Sequence, residues 1–369
     1  MAILQIVLRI NFSGNIMSVI NSHIVALSAY KPPLEGRNPD AFTLLDFNER
    51  TIPIAQNVKQ ALHDYIDAGR LQMYPSYGDT VERLASYACV SGEQLMLTNG
   101  SDQGIDLVFR AVACVGAEAI IPGPSFAMYH QCAKVESMRM HEPLYTQDGG
   151  YPMAEVLSLI NSETRIVVVS NPNNPCGTVV TADVVEKIAQ AAPNAAVLVD
   201  ECYFEYSHET AVPLINQYSN IFVTRTFSKT WGMPSLRFGY LMSASENIAA
   251  LCNIRGPYDI NQLAVVAANA ALDDPSETIA YVDEVMSRAK PVLESWLSQS
   301  NINYWASAAN YLWCFPDRPD EVACHLQAQG FLVRPKAYGE QIGLRITVGT
   351  VEQMRRLVEV WTLWLDAKR

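Results

Sequence analysis

Short apolar runs of strand length recur through the first two thirds of the chain: Ala119 to Ile121, Ile166 to Val169, Val197 to Val199 and Ile221 to Val223. Several are rich in Val and Ile without polar alternation, which is how strands buried on both faces read. Between them lie stretches of helical period. After Thr181, placed to act as an N-cap, Val184, Val185, Ile188 and Ala192 recur at helical spacing. Strand–helix–strand repetition predicts an α/β fold whose mostly parallel sheet is sandwiched by helices. Beyond about Leu272 the pattern changes to a long helical segment through Ala289. Asn301 to Phe315 follows, rich in aromatic and β-branched residues, and then an amphipathic helix with Met354, Leu357, Val358, Trp361 and Leu365 on one face. The expected organisation is an N-terminal arm over 17–45, a large domain over 46–272 and a smaller α+β domain over 273–369.

Charge and motif content narrow the chemistry. Lys and Arg number 26 against 38 Asp and Glu, a formal net charge of −12, so a polyanionic partner such as nucleic acid is not expected. Apolar residues make up 49% of the chain, enough to build a core and unlike a disordered composition. The eight cysteines form no CxxC pair and no cluster, which predicts reduced thiols in a cytoplasmic enzyme rather than a zinc site or a disulfide scaffold. The apolar run Ile3 to Leu8 has no basic residues before it and is too short to span a bilayer, so no membrane partner is expected. Met17 is the expected working start, and a signal peptide is the alternative. No GxGxxG, P-loop, HExxH or GxSxG occurs.

What remains centres on one lysine. Lys229 lies just past the apolar run Ile221 to Val223, where ligands gather in open α/β sheets, with Thr226 and Ser228 beside it and Arg237 eight residues on. Buried there, its amine can form an imine; alone, it reads as a solvated surface lysine, and only its companion motifs overturn that. Asp200 ends another strand in VDECYFEY, where a carboxylate can pair with a pyridinium nitrogen or simply cap a helix. NPNNPCGT, Asn171 to Thr178, fixes a tight loop after Val169 and offers the Asn174 amide to a phenolic oxygen. In TNGSDQGIDLVFRA, Gly100 introduces a helix with Ile105, Val108 and Phe109 on its apolar face. The N–H groups of Ser101, Asp102 and Gln103 there suit a phosphate monoester, or serve capping alone. Arg345 in GLRITVGT can clamp a carboxylate or form a structural ion pair.

Taken together and in order, NGSD, NPNNPCGT, VDECYFEY, TFSKTWGMPSLRFGY and LRITVGT resemble the class I/II aminotransferases of fold type I, specifically the histidinol-phosphate aminotransferase type. The resemblance runs from about Ala26 to the C-terminus. It implies a seven-stranded large sheet, pyridoxal 5′-phosphate as cofactor, no metal, and a homodimer with shared active sites. By matching position it implies Lys229 as the Schiff-base lysine, Asp200 as the partner of the pyridine nitrogen, and Asn174 and Tyr203 as donors to the cofactor's 3′-oxygen. Ser101, Asp102, Thr226, Ser228 and Arg237 match the phosphate cup, Phe126 the stacking aromatic, and Tyr74 the tyrosine that reaches the neighbouring subunit's cofactor. Arg345 matches the α-carboxylate clamp, while Tyr30 and Arg334 fall where the family binds its substrate's distal phosphate.

Two departures stand out. The family's NENPYG is here FNERTIPI, Phe47 to Ile54, which keeps Asn48 and Glu49 alone, and NPNNPTG has become NPNNPCG with Cys176. The implied activity is amino transfer from a donor to a 2-oxo acid such as 2-oxoglutarate, with histidinol phosphate the expected donor and the altered early loop bordering its pocket. An aromatic amino acid is the alternative donor, and decarboxylation of a threonine-phosphate-like substrate the alternative reaction.

Overall fold

The structure, a computed structural model, describes residues 19–29, 31–148 and 150–368. The expected start site and Tyr30 lie outside the described residues. A short strand, β1 (Thr43–Leu44), precedes the elements of the large sheet: β2 (Leu95–Thr98), β3 (Glu118–Ile120), β4 (Arg139–His141), β5 (Thr164–Ser170), β6 (Ala196–Asp200), β7 (Ile221–Thr226) and β8 (Gly239–Met242). These seven strands run in the order β2-β8-β7-β6-β5-β3-β4. All pairings are parallel except those of β8, which is antiparallel to both β2 and β7.

The lack of polar alternation in the strands has a direct cause. Along β5, Val167 and Val169 enter one core while Ile166 and Val168 enter another on the opposite face, and Val197 and Val199 alternate with Ala196 and Leu198 in β6 in the same way. Each face is covered by helices, among them Gly100–Val112, with Ile105, Val108 and Phe109 fully buried, and Ala182–Ala191. Thr181 occupies the N-cap position of the latter, but its hydroxyl makes no capping bond.

A second sheet follows, formed by β9 (Asn303–Trp305), β10 (Tyr311–Phe315), β12 (Arg334–Tyr338) and β13 (Gln341–Thr347) in the antiparallel order β12-β13-β10-β9, with β11 (Phe331–Leu332) lying parallel to β1. Its core joins Leu312, Leu344 and Ile346 to Met354, Leu357 and Trp361 of the terminal helix Val351–Lys368, and takes in Leu45, Tyr203 and Tyr206 as well.

The helical stretch before it is longer than its expected end at Ala289. Helix Ser276–Asp283 passes through a π-turn at Glu284–Ala289 into helix Lys290–Gln299, which contains Pro291. The widened π-turn accommodates the N–H that proline lacks, so proline does not end the helix here. No helix among the described residues is long and apolar enough to cross a membrane.

Candidate active site

Parallel strands end together, and the carboxyl ends of β5, β6 and β7 bring Ser170, Asp200 and Thr226 to one edge of the sheet. A pocket opens there. Lys229 and Tyr203 line it, together with Asn174 and Phe126 from neighbouring loops and Ser101 and Asp102 from the start of the helix after β2. Thr226, Ser228 and Arg237 complete the wall. The segment between β7 and β8 thus delivers the lysine and the hydroxyls to the place where the sheet offers its free strand ends.

Asp200 forms the floor. It is 4% exposed, and both its oxygens accept hydrogen bonds: Oδ1 from Thr224 Oγ1 and the Cys202 thiol, each at 2.9 Å, and Oδ2 from the Tyr129 hydroxyl alone at 2.6 Å, which leaves Oδ2 able to take a further donor. Burial raises the carboxyl's pKa, and the three donors oppose that by favouring the anion. The same enclosure drives the Cys202 thiol upward, with the Asp200 charge adding to it, so Cys202 remains a neutral donor.

Lys229 Nζ donates to the Phe47 carbonyl at 2.9 Å, and burial lowers the pKa of its amine, with the Arg345 charge acting in the same direction. An amine with a reduced proton affinity is the nucleophile that imine formation needs.

Two amide orientations are fixed by their neighbours. Arg345 Nη1 donates to Asn174 Oδ1 at 2.6 Å, and since a guanidinium accepts nothing, the Asn174 NH₂ is left to face the pocket. Arg345 also donates to the Asp46 carbonyl. Thr347 Oγ1 donates to Asn48 Oδ1 at 3.3 Å, which turns the Asn48 NH₂ onto the Tyr203 hydroxyl at 2.9 Å. Tyr203 therefore accepts from Asn48 and keeps its own proton for the pocket. Asn48 is one of the two residues retained in the altered early loop, and it sits at φ 57°, a conformation asparagine tolerates.

The opposite end of the pocket is a cup of donors. The Thr226 and Ser228 hydroxyls lie 3.0 Å apart, Arg237 Nη1 reaches Ser228 Oγ at 3.4 Å, and Arg237 Nη2 meets Asp102 Oδ2 at 3.1 Å. Two glycines allow this closeness. Gly100 has φ +72° and any Cβ on it would strike the Arg237 guanidinium; a Cβ on Gly239 would stand 2.6 Å from the Ser101 amide nitrogen.

Not every expected residue joins the pocket. The Gln103 side chain lies outside, its Nε2 on Asp259 at 2.5 Å and its Oε1 accepting from the Asn99 amide, so any part it takes is through its backbone. Tyr74 is 77% exposed and stacks on Tyr258 at 4.6 Å, away from this chain's pocket. Arg334 lies across from Arg345 in the β12–β13 register, its guanidinium 5.5 Å from the Phe47 ring. Conversely, Tyr129, Thr224 and Cys202 all hold Asp200 and were not picked out as site residues. Thr224 stands opposite Asp200 in the parallel β6–β7 register, a placement that only the paired strands reveal.

The fold and this pocket define an enzyme that holds an aldehyde cofactor with a pyridine ring and a phosphate. The donor set fits pyridoxal phosphate: a buried carboxylate for the ring nitrogen, an aromatic wall, an amine of lowered pKa, and a glycine-shaped cradle of hydroxyl, guanidinium and helix N–H donors. Residues 42–360 match the model of the family "Aminotransferase class I and II". A histidinol-phosphate aminotransferase from Geobacillus sp. is 32% identical over 335 residues, covering 87% of this chain and 90% of the relative. One from Halalkalibacterium halodurans is 31% identical over 354 residues, covering 90% and 94%. Among solved structures, a putative histidinol-phosphate aminotransferase from Erwinia carotovora atroseptica superposes with a TM-score of 0.82 at 25% identity, covering 92% of this chain and 99% of that one. The Sinorhizobium meliloti histidinol-phosphate aminotransferase in complex with pyridoxal-5′-phosphate, at 21% identity and a TM-score of 0.82, shows the shared fold. This chain belongs to the class I and II aminotransferases.

Proposed function

We propose that the chain is a pyridoxal-phosphate-dependent histidinol-phosphate aminotransferase of the cytoplasm that passes the amino group to a 2-oxo acid such as 2-oxoglutarate. The observation that carries the reading is a single pocket in which the Lys229 amine, the Asp200 carboxylate and the Ser101–Thr226–Ser228–Arg237 cup converge. The curated relatives of that name, about equally long, support the donor.

Each residue has a distinct task. Bound pyridoxal phosphate supplies the electron sink for the electrons of the broken Cα–H bond. Asp200, held by Tyr129, Thr224 and Cys202, keeps a proton on the ring nitrogen. The Tyr203 hydroxyl and the Asn174 amide donate to the ring oxygen, oriented from behind by Asn48 and Arg345. Lys229 Nζ holds the cofactor at rest and then takes the proton from the donor's Cα, its lowered pKa matching general-base work. Arg345 holds the α-carboxylate of the 2-oxo acid, and Arg334 the distal phosphate of the donor. In the same reading two copies associate, and the exposed Tyr74 reaches the partner's cofactor phosphate.

The donor is tested with a panel of histidinol phosphate, phenylalanine, tyrosine and aspartate, each with 2-oxoglutarate. Histidinol phosphate is expected to have the highest kcat/KM, with Arg334→Ala raising its KM by about tenfold or more, the worth of one charge-assisted contact. Preference for phenylalanine or tyrosine, or release of carbon dioxide without a 2-oxo acid, would replace this reading with one of its alternatives.

A further inference from the structure

In an antiparallel pair, residues directly opposite one another project from the same face. Arg334 pairs with Arg345, Lys336 with Gly343 and Tyr338 with Gln341. Arg345 projects toward the pocket, where it bonds Asn174, so Arg334, Lys336 and Tyr338 share the pocket-facing side of the sheet. Exposure along β12 follows that alternation, with these three half-buried and Pro335 and Ala337 exposed. One strand further in, Trp313 stands opposite Arg345 on the same side.

This face has an excess of donors. Lys336 has no hydrogen-bond acceptor and no carboxylate beside its ammonium among the described residues. The charges that face it are Arg345 from the neighbouring strand and Arg334 from its own. Burial, with those two cations, lowers its pKa to about 8. Arg345 Nε and Trp313 Nε1 are also buried without an acceptor among the described residues. Gly343 opposite Lys336 has no room for a side chain, because a Cβ there would stand 2.5 Å from Trp313 Nε1. A half-buried lysine that faces two arginines and no acid costs folding free energy, through both desolvation and like-charge repulsion. Such a residue makes sense when an acceptor-rich anion arrives from outside.

We propose that Lys336 is a substrate-binding residue that, with Arg334, contacts the phosphate monoester of the amino donor and sets the preference for a phosphorylated donor over an aromatic amino acid. The proposal rests on the reading of this pocket as that of an aminotransferase for a phosphorylated amine.

The test uses the cofactor-loaded enzyme with inorganic phosphate as a competitive probe, beside KM for histidinol phosphate. Lys336→Met is expected to raise both the phosphate inhibition constant and that KM about tenfold, while the cofactor's absorbance band is retained. Lys336→Arg is expected to restore both, and Lys336→Gln gives the same reading should the methionine variant fail to fold. Between pH 7.5 and 9.5, with the inhibition constant expressed for the phosphate dianion at each pH, inhibition of the wild type weakens as the lysine loses its proton, and the arginine variant shows no such loss. A purely structural lysine would give none of these shifts. A phosphate inhibition constant within twofold of wild type in Lys336→Met and Lys336→Gln overturns the assignment. If instead the wild type does not turn over histidinol phosphate, yet phosphate inhibition is lost in the variants, the donor reading fails and Lys336 remains an anion-binding residue.

Discussion

Lys229 and Asp200 are held in opposite ways: the amine has a single backbone acceptor, and the carboxylate has three donors. Burial penalises the charged form of both, which gives the lysine a pH signature. A lysine whose pKa is lowered on folding carries its full penalty below the folded pKa, and the penalty disappears as pH rises from that value to the ordinary lysine pKa. In the cofactor-free protein, Lys229→Met is therefore expected to be more stable than wild type at pH 7, with the difference shrinking toward pH 10. Urea unfolding across that range measures it. A difference that grows with pH would mean that the amine is not held in the neutral form's favour. Several residues of this site were legible in the sequence because each ends an apolar run or opens a constrained loop, as Asp200 and Asn174 do. Tyr129, Thr224 and Cys202 were not, because their role depends on which atoms the folded strands and the following helix bring to one carboxylate. Gln103 shows the converse: its place at a helix start was readable, but the side chain is drawn off by Asp259, 156 residues away.

At the scale of elements, the site depends on how closely β8 passes the start of helix Gly100–Val112. Gly239 is the point of contact, since a Cβ there would lie 2.6 Å from the Ser101 amide nitrogen and 2.8 Å from the Arg225 carbonyl. Gly239→Ala is expected to cost about 1–3 kcal/mol, as overpacking against backbone does, and to loosen the phosphate cup. Thermal unfolding and the dissociation constant for pyridoxal phosphate read the two effects; unchanged values for both would show that the helix start can move away freely. The long buried strands were readable from their unbroken apolar runs, and the terminal helix from its period. The short strands β2, β4, β8 and β11, of two to four residues, carry too few side chains for a period to register. The π-turn before Pro291 was hidden for a different reason: proline normally marks a helix boundary, and only the packing of Val285, Ala289 and Leu293 into one core keeps the helix continuous.

At the scale of the whole molecule, the arm and both sheets meet around the pocket. Leu45 and Tyr203 share a core with the terminal helix, and Asn48 links Tyr203 to Thr347 of β13. Tyr74 is the exception, exposed and stacked on Tyr258 outside this chain's pocket, and in the proposed dimer it serves the partner. Mixing Lys229→Ala chains with Tyr74→Ala chains tests this. Each is expected to be nearly inactive alone, and random reassociation leaves one intact site in every mixed dimer, which restores roughly a quarter of wild-type activity. No recovery, with mixed dimers demonstrated by sedimentation, would place Tyr74 outside any shared site.

The most direct test of the whole account is chemical. The purified protein is saturated with pyridoxal phosphate, reduced with borohydride, digested and weighed by mass spectrometry. The account predicts the mass of one reduced cofactor on the peptide containing Lys229 and on no other lysine. An unmodified Lys229 peptide, or the label on a different lysine, would contradict it.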